Sequence, residues 1–195
     1  MSPDVSTKDL AADGLRKLAS AAAGNARDLL EEAEILLGHR RWPRACALAV
    51  LAGEEAAKAF RCMCVLVIGA PKVSRHDLER DHIGKLTVAR IMTDLLFPLI
   101  RAEQEPPESV AEATAQMEQT ARQDDRAKQR GLYVDIGPDG SLQQPSDITE
   151  AEASGVIAGV ADLVKVVELM TSNEVLQMII EGYSGLPIEV QANYR

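Results

Sequence analysis

Aromatic side chains are nearly missing from this chain. Two Phe, three Tyr and one Trp make up 3% of 195 residues, although 46% of the sequence is hydrophobic. A core must therefore be built from Ala, Leu, Val and Ile, which favours close-packed helices over a β-sandwich rich in aromatic and β-branched strands. Cysteine is scarce and odd in number: Cys46, Cys62 and Cys64 all lie in apolar helical sequence. That excludes a disulfide framework, and Cys62-Met-Cys64 without a second pair excludes a zinc site. Positive charge is in deficit, with 21 Lys and Arg against 30 Asp and Glu and a net charge of −9. A broad basic nucleic-acid surface is excluded, while a local basic pocket is still allowed. The longest apolar run, near Cys62 to Ala70, is too short to span a bilayer. The N-terminus lacks a basic segment followed by an apolar one. These two features point to a cytoplasmic protein without a membrane partner.

What is present is helical periodicity. Ser6 to Leu37 reads as one helix, capped by Ser6 or Thr7, with a possible break at Gly24-Asn25 and an end at Gly38. A second helix runs from Trp42-Pro43 to about Ile68 and a third from Ser74 to Leu95 or Ile100, with Pro98 as a kink or end. Pro106-Pro107 is a loop, and Glu108 to about Lys128 is a more polar helix. Leu132 to Ile136 is β-prone, and the turn signal Pro138-Asp-Gly140 suggests a small hairpin or an ordered loop over 132–143. Asp147 or Thr149 caps a helix from Glu150 to about Met170. A short helix, Glu174 to Ile180, precedes a tail that is extended or poorly ordered after Gly182. The expected architecture is all-α, an antiparallel single-domain bundle at 25–170, with an N-terminal helix at 1–24 and a short helix and tail at 171–195.

The second helix is almost wholly apolar except for Glu54, Glu55 and Lys58. Buried charges require partners. Adjacent carboxylates point about 100° apart, so the two cannot share one metal ion without help from another helix. The structural reading pairs one Glu with Lys58, through Glu54 and Lys58 at i,i+4, and uses the other to anchor a cation such as Lys85 or Arg75. No paired Glu-x-x-His motif is present, so neither a metal nor another cofactor is expected.

Only three histidines exist. His39 beside Arg40 and Arg41 reads as a cation at a helix C-terminus. His82 lies seven residues after Arg75, nearly two full turns, which places the pair on one helix face about 10 Å apart along the axis. Lys85 is within about 60° of His82 on the same face. Such a stripe suits metal-free RNA cleavage, with His82 moving a proton and Arg75 and Lys85 meeting the phosphate. A solvated charged face explains the same residues, and Asp77, Glu79 and Asp81 between the cations favour that simpler account.

The segment Arg41-Trp-Pro-Arg-Ala-Cys-Ala-Leu-Ala-Val-Leu-Ala-Gly-Glu-Glu-Ala-Ala-Lys58 resembles the signature helix of AbiV-type abortive-infection proteins, a branch of the HEPN superfamily. Asn25 to Leu37 is similar to the helix before it. Lys128-Gln-Arg-Gly-Leu-Tyr-Val-Asp135, with Pro145-Ser-Asp-Ile-Thr149, is similar to the family's K-x-x-G-L-Y-V-D segment, and His82-Ile-Gly-Lys85 to its H-x-x-K. Ala57 replaces the usual Gly before Lys58, and Asp81 and Ile83 stand where polar or basic residues are commoner. The resemblance implies a HEPN-type bundle, a homodimer and a role in antiphage defence. It also implies an RNA substrate cleaved without metal, because Arg75 and His82, six residues between them, fit the superfamily's R-x4–6-H motif, with Lys85 beside them on the same face. Glu54, Glu55, Lys58 and Lys128 would support that site, and Tyr133 and Asp135 would form its rim. For Tyr133, packing under the loop is the alternative. A non-catalytic helical module that senses or binds a phage protein stays open as the second reading, and a metal-dependent hydrolase as the third.

Overall fold

The computed structural model describes residues 12–68, 81–105, 107–137 and 139–184. Two long helices lead: α1, Ala12–Gly38, and α2, Trp42–Ile68. They are followed by α3, His82–Arg90, a wide π-helical segment Ile91–Leu96, and a single turn α4, Phe97–Ile100. Next come α5, Val110–Leu132, strands β1, Asp135–Ile136, and β2, Leu142–Gln143, a tight helical turn Pro145–Asp147, α6, Glu150–Thr171, and α7, Asn173–Ser184. The fold is an all-α bundle with a small two-stranded sheet. Of the hairpin and the ordered loop that the sequence allows, the structure has the hairpin, antiparallel, with Asp135 opposite Gln143 and Ile136 opposite Leu142.

α2 is the axis of the bundle and touches α1, α3, α5, α6 and α7. Alanine makes this possible. Ala19, Ala26 and Ala33 of α1, and Ala45, Ala49, Ala52, Ala56 and Ala59 of α2, are fully enclosed. A seam of methyl groups lets helix axes come close without aromatic filler. Met63, Ile148, Leu163 and Leu176 supply the bulk around that seam.

α1 passes through Gly24-Asn25 without a break, held on either side by buried Ala22, Ala23 and Ala26. It ends at Gly38, as the sequence predicts. The left-handed residue that closes the turn after it is Arg40, at φ 59°. Arg41 N–H bonds Leu36 O at 2.8 Å and Arg40 N–H bonds Leu37 O at 3.0 Å, the paired closure of a Schellman turn. A non-glycine residue in that conformation costs about 1–2 kcal/mol.

Ser109 and Thr149 cap α5 and α6, accepting from Glu112 N–H and Glu152 N–H at 3.2 Å each. Thr149 is thus the cap of α6, while the Asp147 carboxylate turns back to Gln144 N–H at 3.0 Å. The π segment explains Pro98. Phe97 N–H reaches back five residues to Met92 O, and Pro98 has no N–H for the turn before it. Gln104 Nε2 donates to Leu95 O at 3.0 Å and reaches Asp94 O, the carbonyl four residues before Pro98, at 3.5 Å.

The three thiols are not alike. Cys46 and Cys62 are buried and Cys64 is partly exposed. Burial pushes Cys46 and Cys62 up to about 11 from an ordinary 9.0. The unfolded chain therefore releases these protons first as pH rises, so stability falls between about pH 9 and 11, on the order of 2 kcal/mol per thiol. Lys128, raised from 10.5, acts in the same direction at higher pH, and Lys85, lowered from 10.5, opposes it. Native thiol labelling at neutral pH is expected to mark Cys64 alone, with Cys46 and Cys62 labelled only on unfolding. Mass mapping that finds Cys46 labelled in folded protein contradicts this packing.

Candidate functional site

α2 delivers Glu54 to the centre of the bundle, where the residue is 2% exposed. Its carboxylate meets three cationic or titratable groups from two other helices. Lys128 Nζ of α5 donates to Oε1 at 2.5 Å, His82 Nδ1 lies 2.6 Å from Oε2, and Lys85 Nζ of α3 lies 3.5 Å from the same oxygen. Asp125, one turn before Lys128, takes that ammonium on its other side at 2.7 Å. Two buried lysines thus face two carboxylates, and His82 extends from the network with half of its side chain in solvent.

The lysines differ in electrostatic state. Burial is the largest influence on Lys85 and lowers it below the ordinary lysine range, against the pull of Glu54. Burial is also the largest single influence on Lys128, but bonds to Asp125 and Glu54 together outweigh it and raise Lys128. Lys128 is therefore a fixed counter-charge, and Lys85 is the more easily deprotonated of the two.

Glu55 faces away and pairs with Lys58 three residues on. The division of labour between the two carboxylates follows their 100° separation, but Lys58 belongs to Glu55 and not to Glu54. Glu54 is claimed by tertiary partners that α2 alone does not reveal.

Asp81 changes the geometry expected for the third helix. Its backbone is non-helical, at φ −82° and ψ 74°, and its carboxylate accepts Gly84 N–H at 2.8 Å, which makes it the N-cap of α3. A Cβ on residue 84 would fall 1.9 Å from Asp81 Oδ2, so glycine leaves room for the cap. Arg61 of α2 lies 3.4 Å from the same Oδ2. His82 is thus the first residue of α3, and Asp81 before it is not helical. Arg75 itself lies outside the described residues. Lys85, expected to meet phosphate, is enclosed with its ammonium on Glu54.

Tyr133 and Asp135 line a separate cleft of about 710 Å³ with Arg126 and Arg130. Arg126 and Arg130 lie two residues to either side of Lys128, about 160° around the helix from it. Tyr133 is exposed, which excludes packing under the loop. The sequence reading did not identify Asp125, Asp81 or Arg61. The Asp-x-x-Lys and Asp-x-x-Gly spacings were the only local signals for the two aspartates, and Arg61 had none.

The network can orient and polarise one imidazole. A carboxylate facing two ammonium groups accepts rather than donates, so Nδ1 of His82 carries the hydrogen and Nε2 of the neutral ring is left as the base. Among the described residues no group of three or more His, Cys, Asp or Glu side chains is arranged to hold a metal, and no helix is long and apolar enough to cross a membrane. Neither the curated proteins nor the solved structures yield a significant match to the chain. The family model HEPN_AbiV, described as AbiV, matches residues 14–165, a span from the first turn of α1 into α6 that includes Glu54, His82, Lys85 and Lys128. The chain belongs to the AbiV family of HEPN proteins.

Proposed function

We propose that this protein is a metal-independent endoribonuclease of abortive infection, with His82 as its proton-transfer group. One observation carries the reading: the His82 ring is anchored at Nδ1 by a buried carboxylate at 2.6 Å while half of the side chain stays open to solvent. A ring fixed at one nitrogen and accessible at the other is the arrangement general acid–base chemistry requires. In the reaction the ribose 2′-oxygen bonds to the adjacent phosphorus and the bond from phosphorus to the 5′-oxygen breaks. The products are a 2′,3′-cyclic phosphate and a 5′-hydroxyl. The 2′-hydroxyl proton passes to Nε2 of a neutral His82, or a protonated His82 supplies the 5′-oxygen. One imidazole serves one of these transfers at a time, and a second copy in a homodimer would serve the other. Arg75 is assigned to phosphate. Lys85, Lys128 and Asp125 hold Glu54, and through it the ring.

Total RNA incubated with the protein in EDTA tests this. Wild type should leave cyclic-phosphate ends, and His82→Ala, which removes a half-exposed side chain, should stay folded and lose about 10²–10⁴-fold in rate. Arg75→Ala should lose cleavage as well. Cleavage that survives in His82→Ala, or that appears only with added metal, rules the assignment out.

One observation favours a second reading, a non-catalytic module that binds a phage protein. Tyr133, Val134, Ile136 and Leu142 are all exposed around the hairpin, an apolar concentration typical of contact surfaces. Wild type without RNase activity but with saturable binding of such a protein, lost on Ile136→Asp, is the result that reading requires.

A further inference from the structure

Most described cations are matched by an acid in this acidic chain, but Arg40, Arg41 and Arg44 are not. All three are exposed, and none forms an ion pair among the described residues. They surround a cleft of about 380 Å³, closed on its other wall by Pro145, Ser146 and Ile148. Asp147, set between those wall residues, forms no ion pair with them among the described residues, and its carboxylate accepts Gln144 N–H at 3.0 Å. The cleft opens at the N-terminus of the 27-residue helix α2, the end that favours an anion. Arg40 also occupies a left-handed position, at φ 59°, where glycine is less strained.

We infer that this cleft seats the phosphodiester backbone of single-stranded RNA, about 18 Å along α2 from Glu54. The inference rests on the RNA substrate proposed above and says where that substrate is held away from His82. Guanidinium forks match phosphate oxygens in pairs, and three arginines line this one opening. The neighbouring surface favours RNA over an acidic peptide. Gly131 near the end of α5 lies against Pro43, and two residues on, just past the helix, exposed Tyr133 offers a stacking face for a base.

The test is fluorescence anisotropy with a short labelled single-stranded RNA, performed in the His82→Ala background so that cleavage is neither needed nor interfering. Arg41→Ala with Arg44→Ala should weaken binding roughly tenfold or more and lower the salt slope by about 1.4, with an unchanged melting temperature. Arg16→Ala with Lys165→Ala removes two other cations without ion pairs and should leave binding intact. Affinity that is insensitive to Arg41 and Arg44, or lost equally in the control pair, overturns the inference. So does polyglutamate that binds as tightly as RNA with the same arginine dependence. Loss of cleavage in His82→Ala with intact RNA binding reports on the catalytic reading alone, so failures of the two are distinguishable.

Discussion

Replacing Glu54 with Ala is expected to destabilise the protein by about 3–5 kcal/mol, the cost of leaving buried cations without their counter-charge. Lys85 and Lys128 are both almost fully enclosed and both face this carboxylate. Asp125 still reaches Lys128 at 2.7 Å, so Lys85 bears most of the loss. Glu54→Gln keeps the volume but presents an amide whose N–H groups face ammonium donors, and it should lose nearly as much. Urea unfolding measures both. A loss below about 1 kcal/mol for Glu54→Ala is incompatible with a charged network at the centre of the bundle. Glu54→Leu combined with Lys85→Met and Lys128→Met separates folding from function. Removing all three buried charges with volume kept is near neutral or stabilising for buried ion clusters, and Asp125, which loses Lys128, is 29% exposed and keeps water as its partner. That variant should fold at least as stably as wild type, bind RNA at the arginine cleft, and fail to cleave because the His82 ring has lost its anchor. A triple variant that cleaves normally excludes Glu54 as the positioning residue.

The bundle was largely legible because its signal is local. Alanine and leucine recur at helical spacing along 12–68 and 150–171, and turn residues stand where the hairpin forms. The site was legible in its participants and less so in its pairing. Glu54 and Glu55 are both within reach of Lys58 along α2, and only the arrival of Lys85 and Lys128 from other helices decides that Glu55 takes it. Asp81 reads as one more charge on an exposed stripe until its backbone is seen to leave the helix, because Asp is equally at home on a helix surface and at a cap. Arg40 was hidden by Gly38, the better left-handed residue two positions earlier. The π segment had no signature beyond Pro98, since its register depends on where Gln104 comes to rest. α5 extends past the expected end at Lys128 to Leu132, because its last turn is fixed by contact with α2 more than by its own polar sequence.

That last turn supports the second large effect. Gly131→Ala should destabilise the protein by about 2–3 kcal/mol, even though alanine is the better helix former by about 1 kcal/mol. A Cβ at this position would lie 2.4 Å from Pro43 O and 3.1 Å from the Ala47 Cβ. Pro43 O is backbone near the start of α2, so no side chain can swing aside, and α5 must lift away from α2. Lys128 is one turn earlier on the same helix, so the displacement should also strain its bond to Glu54 and lower cleavage beyond the loss in stability. Gly24 provides the internal comparison. It sits in mid-α1 with nothing within 4 Å of an added Cβ, and Gly24→Ala should raise stability by about 0.5–1 kcal/mol from helix propensity alone. Urea midpoints of the two variants should therefore move in opposite directions. If Gly131→Ala is as benign as Gly24→Ala, the close approach of α5 to Pro43 is wrong, and with it the contact that brings Lys128 to Glu54.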